Sequence, residues 1–138
     1  MDHIAILAKQ RKLLDKIISG EKTIESRWYK FKKTPYGIAK AGDTIYFKDS
    51  GEPVTVKAVI DRVLFFNLNH SDVAEVIQNY GKQICLQETN PEKYKQYKYC
   101  SLIFLKNVKK IEPFQINKKG FGLMAAWISV ENIARIKQ

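Results

Sequence analysis

The sequence predicts an α+β domain organised as a small twisted β-barrel with two or three flanking helices. Three observations lead there. Runs rich in β-branched and aromatic residues, which suit a pleated surface, recur at short and uneven intervals, favouring a small barrel over a doubly wound sheet. Apolar residues recur at helical spacing in only a few short stretches. The chain has 138 residues, 45% of them hydrophobic, enough to bury one core. With no repeats, low-complexity runs or linkers, residues 1–138 read as one domain.

The elements follow in order. His3 to Leu7 predicts a short strand. Lys9 to Ser19 predicts an amphipathic helix, with Leu13, Leu14, Ile17 and Ile18 as its apolar stripe and Gly20 placed as its C-cap. Thr23 to Tyr29 alternates as a strand, with Ile24 and Trp28 on one side and Glu25 and Arg27 on the other. A lysine-rich loop, residues 30 to 43, carries Pro35, Gly37 and Gly42. Thr44 to Lys48 is a strand, Ser50 to Pro53 a turn, and Val54 to Phe66 a long strand expected to bend or bulge midway. Ser71 to Tyr80 predicts a second helix, with Ser71 as cap and Asp72 and Glu75 near its positive end. Pro91 suits a helical turn. Tyr99 to Val108 and Ala125 to Val130 are strands, and Glu131 to Lys137 a short helical tail.

Charge is the strongest compositional signal. Twenty-four Lys and Arg oppose fourteen Asp and Glu, a net charge of +10, and twenty of the cations are lysines. Such an excess on one small domain points to a polyanionic partner, RNA or a nucleotide. No stretch approaches the roughly 20 apolar residues of a membrane helix, and the N-terminus has no signal-peptide pattern, so a cytoplasmic protein without a membrane partner is expected. Two cysteines, Cys85 and Cys100, are too few for a disulfide framework and are expected to be free thiols. Neither metal-ligand spacing nor a glycine-rich phosphate loop is present, so no metal or cofactor is expected.

The most informative stretch is Gly20-Glu21-Lys22-Thr23-Ile24-Glu25-Ser26-Arg27-Trp28. Glu25 and Arg27 lie two apart on a strand and so project from one face, and Lys22 in the preceding turn can lean toward them. Two cations beside one carboxylate keep it ionised. The cluster offers donors for phosphate or carbonyl oxygens and an acceptor for a base amino group; a surface ion-pair cluster of little energetic weight is the simpler alternative. Trp28, on the side of Ile24, is a candidate for base stacking or for a place in the core or cleft wall, and Tyr36, in the lysine-rich loop, is a second stacking candidate.

This stretch resembles the Gly-x-Lys-x-x-Glu-x-Arg motif of the ASCH domain family, in the PUA-like superfamily, with Gly20, Lys22, Glu25 and Arg27 at its four positions. Ala41-Gly42-Asp43-Thr44-Ile45 is similar to the family's glycine-aspartate turn into a strand, and the order of later elements, including the Trp127 strand, follows suit over nearly the whole chain. The resemblance implies a PUA-like barrel that binds RNA or a modified nucleoside in a basic cleft at the first helix–strand junction, through Lys22, Glu25, Arg27, Trp28 and Tyr36. It also implies an enzymatic alternative. One family member is an amidohydrolase of N4-acetylcytidine whose motif pairs a lysine with a nucleophilic threonine, and ribonuclease activity is associated with related domains. Lys22 matches that lysine, whereas Glu25 stands where the threonine would be, which leaves Glu25 the role of general base on water. A different RNA-binding signature, suggested by Ile103 to Val108 and Lys119 to Gly122, is excluded. Only ten residues separate the two matches, too few for the helix and strand required between them.

Overall fold

A computed structural model of the chain describes residues 1–69, 72–122 and 124–138. The chain runs β1 (Asp2–Leu7), a helical turn at Lys9–Arg11, α1 (Leu13–Ser19), β2 (Ile24–Tyr29), β3 (Thr44–Asp49), β4 (Val54–Asn67), α2 (Val73–Ile84), a turn at Pro91–Tyr94, β5 (Tyr99–Phe114), β6 (Trp127–Val130) and a last turn at Ile133–Arg135. The strands form one six-stranded sheet in the order β2-β5-β4-β3-β1-β6. Only β1 and β3 pair in parallel; the other neighbours are antiparallel.

The sheet curls into a half-barrel because its two longest strands are irregular. The β4/β5 register shifts between Val54 and Val56, Lys57 and Val59, and Ile60 and Arg62. Each shift bends the strand and adds twist, as the long β-branched run predicted. One face buries Phe47, Ile45, Ile60, Ile103 and Trp127 together with Leu13 and Ile17 of α1. On the opposite face, Val76 and Ile84 of α2 pack against Ile24, Cys100 and Leu102. The architecture is the small α+β barrel with two helices that the sequence predicts.

Several boundaries differ from the sequence reading. The expected helix over Lys9–Ser19 is broken at Lys12, whose φ of 55° is left-handed. The remaining seven-residue α1 spans only two turns, so Leu13 and Ile17, four apart, face the core while Ile18 is 38% exposed. α2 continues past Tyr80 to Ile84. Gly81 is buried within it rather than ending it, and Cys85, at φ 61°, supplies the left-handed C-cap. β5 runs beyond Val108 to Phe114, since its outer half still finds β4 across the bulges. The tail is a single helical turn held by the Ile116–Lys137 bridge.

The expected cap Ser71 lies outside the described residues. Asp72 takes that place, its side chain accepting from the Ala74 N–H at 2.8 Å. Loss of an N-cap acceptor costs about 1 kcal/mol. Asp72→Ala is therefore expected to lower unfolding stability by about that amount in urea titrations, with an unchanged m-value.

Candidate functional site

β2 lies at one end of the sheet and pairs only with β5. At its start, Lys22 is 2% exposed. The ammonium donates to the carbonyls of Ile24 at 2.8 Å and Ile84 at 2.7 Å, and lies 3.4 Å from Glu25 Oε1. Its three protons thus have three acceptors. One of these carbonyls ends α2, where a cation also meets the negative end of the helix dipole.

Glu25, 4% exposed, completes the chain. Its Oε1 accepts from the Ser26 N–H at 2.9 Å, and its Oε2 from Arg27 at 3.3 Å. Burial alone would push this carboxyl up, but the Lys22 and Arg27 charges and the Ser26 hydrogen bond together hold it below the usual carboxylate range. Arg27 reaches across the gap between the ends of the curled sheet. It donates to the carbonyls of Ile6 at 3.3 Å and Ala126 at 3.1 Å and lies 5.4 Å from the Trp127 ring centroid. Lys22, Glu25 and Arg27 are thus brought together as one ion-paired chain.

Beside this chain, against the edge of β2, opens a hollow of about 340 Å³. Because it straddles an edge, residues from both faces of the strand line it: Glu25 and Arg27 from one, Ser26 and Trp28 from the other. The Trp28 indole donates to Ser26 Oγ at 3.0 Å. Its ring stands 4.6 Å from that of Tyr94 and 6.5 Å from that of Tyr97, both of which also line the hollow. Arg11 completes the rim, its guanidinium donating to the Cys85 carbonyl at 3.2 Å. Tyr29 sits in the same wall, and burial raises its phenol pKa, so the hydroxyl stays protonated.

Of the five residues predicted from the sequence, Glu25, Arg27 and Trp28 border this hollow. Lys22 stands behind Glu25 with its donors engaged by the protein. Tyr36 packs elsewhere, its ring 5.1 Å from Phe65 and 5.0 Å from Tyr99. Sequence reading missed Arg11, Tyr94 and Tyr97. A signal for the tyrosines was present, since Tyr94-Lys95-Gln96-Tyr97-Lys98-Tyr99 interleaves aromatic with basic residues. It also missed a buried polar chain at the other end of the sheet, where His3 bonds Ser129 Oγ and Asp43 Oδ2, each at 2.8 Å, and ties β1 to β6 and to the turn before β3.

No protein-family model matches the chain, and no curated protein does. Solved structures do. The ASCH protein of Zymomonas mobilis aligns with a TM-score of 0.68 at 17% identity, over 94% of this chain and 87% of that one. Two single-substitution variants of the same protein align with TM-scores of 0.70 and 0.71 at 16% and 17% identity, over 97% of this chain and 93% and 91% of theirs. Likeness at this identity is likeness of fold: the chain has an ASCH-like fold.

Removing one partner from a buried ion pair leaves the other charge uncompensated and costs about 3–5 kcal/mol. Lys22→Ala is expected to lower unfolding stability on that scale in denaturant titrations. Glu25 has a pKa lower in the folded than in the unfolded chain. The stability it contributes is present above its ordinary value of 4.5 and is lost as pH falls through the lower folded value. Glu25→Gln should therefore flatten part of the acid limb of the stability–pH curve, leaving the part due to Asp43, whose carboxyl is also held low, chiefly by its His3 hydrogen bond working against burial.

Proposed function

We propose that the protein binds RNA or a modified nucleoside, taking one base into the hollow at the edge of β2. The observation that carries this reading is the combination of an aromatic wall, Trp28 with Tyr94 and Tyr97, and an ordered Glu25–Arg27 ion pair in the same small hollow. An aromatic wall accepts the flat face of any base and contributes roughly 1–3 kcal/mol per base. The ion pair adds direction, with Arg27 as donor to carbonyl or phosphate oxygens and Glu25 as acceptor from an amino group. Lys22 serves this arrangement from behind by holding Glu25 charged. The net charge of +10 supports a polyanionic partner. Tyr36 belongs to the wider basic-aromatic surface rather than to the hollow. We place the protein in the cytoplasm, where Cys85 and Cys100 would remain reduced thiols; among the described residues, no helix is long and apolar enough to cross a membrane.

The alternative reading is hydrolysis of a modified nucleoside or of RNA, with Glu25 as general base on water. It is favoured by the presence of a charged carboxylate in the hollow. It is weakened by that carboxylate's low pKa and engaged oxygens, because a base works best with a pKa near the working pH. Incubation with N4-acetylcytidine and with end-labelled RNA separates the readings: binding without turnover of either supports the first, and turnover abolished by Glu25→Gln supports the second.

Binding is tested by fluorescence anisotropy with a labelled oligoribonucleotide at low salt, and by calorimetry with cytidine monophosphate. Arg27→Gln and Tyr97→Ala are each expected to weaken both ligands by about tenfold, with circular dichroism confirming that the fold survives. Wild-type affinity in both variants would overturn the assignment of the hollow.

A further inference from the structure

The hollow does not stand alone. It shares Arg11 with a longer groove of about 1080 Å³ that runs between the α1 region and the end of α2, where Lys16 and Lys82 also face it. Toward the end of β2 it shares Trp28, Tyr29 and Tyr97 with a depression of about 290 Å³ bordered by Lys30, Phe31 and Lys33. The three concavities thus follow the chain through β2, with Glu21 in the longer groove, Glu25 to Tyr29 in the hollow and Trp28 to Phe31 in the depression; Arg11 stands at one shared border, and Lys30 and Lys33 line the depression beyond the other.

Phe31 is the anomaly of this series. It is 78% exposed and belongs to none of the core clusters. A phenyl ring left in water contributes nothing to folding. Its neighbours are held in place: Lys33 lies 4.4 Å from the Tyr29 ring centroid, and Lys32 lies 5.8 Å and 5.9 Å from those of Tyr99 and Tyr36. The loop thus presents one bare aromatic face among positioned positive charges, the combination that single-stranded nucleic acid recognises by stacking and backbone attraction. A free nucleoside needs the hollow only. Neither the exposed ring nor these cations would serve such a ligand.

We propose that the hollow is the middle subsite of a track for single-stranded RNA, in which Phe31 stacks a base flanking the bound nucleotide and Arg11, at the shared border, contacts the backbone phosphate leading into the longer groove. This rests on the reading of the hollow as a base site and narrows its ligand from RNA or a free nucleoside to a single-stranded polynucleotide. A duplex is a poor occupant, because its bases are already stacked and unavailable to an external ring.

The test compares cytidine monophosphate with a labelled single-stranded oligoribonucleotide of about six nucleotides. The oligonucleotide is expected to bind the wild-type protein at least tenfold more tightly than the mononucleotide at low salt, since a second stacked base is engaged. Phe31→Ala should cost the oligonucleotide about tenfold and leave the mononucleotide unchanged. Arg11→Gln should make the oligonucleotide's dependence of log K on log salt shallower by about 0.7, one phosphate contact. Equal affinity for the two ligands, or an oligonucleotide indifferent to Phe31→Ala, overturns the track while leaving the hollow as a base site. Phe31-dependent adsorption to anionic lipid vesicles, with no Phe31 effect on RNA, overturns it too. A mononucleotide that fails to bind while the oligonucleotide remains sensitive to Phe31→Ala sinks the hollow and upholds Phe31 as a stacking platform.

Discussion

The buried ammonium of Lys22 is the constraint on which the rest of the site depends. Placing a lysine at 2% exposure is costly unless every donor is met. Here two backbone carbonyls and Glu25 meet them, and one of those carbonyls belongs to the last turn of α2. The same charge keeps Glu25 ionised, and Glu25 in turn orients Arg27, which reaches β1 and the segment before β6. A helix end, an edge strand and the far side of the curled sheet are thus linked through three side chains. Lys22, at the inner end of the chain, is spent on the protein itself, whereas Glu25 and Arg27 border the hollow.

The half-barrel geometry explains why the hollow can exist. A closed barrel has no edge, and a flat sheet would expose β2 fully. The bulges of β4 and β5 bend the sheet until its ends approach, and the remaining gap is spanned by one guanidinium instead of strand pairing. The edge left beside it gathers side chains from both strand faces. This is how Trp28, which the alternation of β2 assigns to the α2 side, stands next to Glu25 and Arg27.

The tyrosines show a second consequence of the same geometry. Tyr94 is fixed by its hydroxyl donating to the Glu88 carbonyl at 2.6 Å and by the short turn that starts at Pro91. It therefore supports the Trp28 ring from a segment with no regular strand or long helix. Rigid aromatic placement on such a segment depends on these local bonds and on packing, because the backbone ladder of a sheet is absent there.

The sequence by itself determined the α+β class, most strand positions, the bend in the long strand, and the approximation of Glu25 and Arg27, since all of these follow from local periodicity and from the two-residue repeat of a strand. It also made Lys22 a neighbour of that pair through the Gly20 turn. Only the tertiary structure decided that Lys22 faces inward toward α2, that Tyr36 packs away from the hollow, and that Arg11, Tyr94 and Tyr97 complete it. The reason is physical. Helix breaks such as Lys12, and the meeting of segments some seventy residues apart such as Arg11 and Cys85, are set by how the whole sheet curls. That curvature is a sum over many contacts, and no local window of residues contains it.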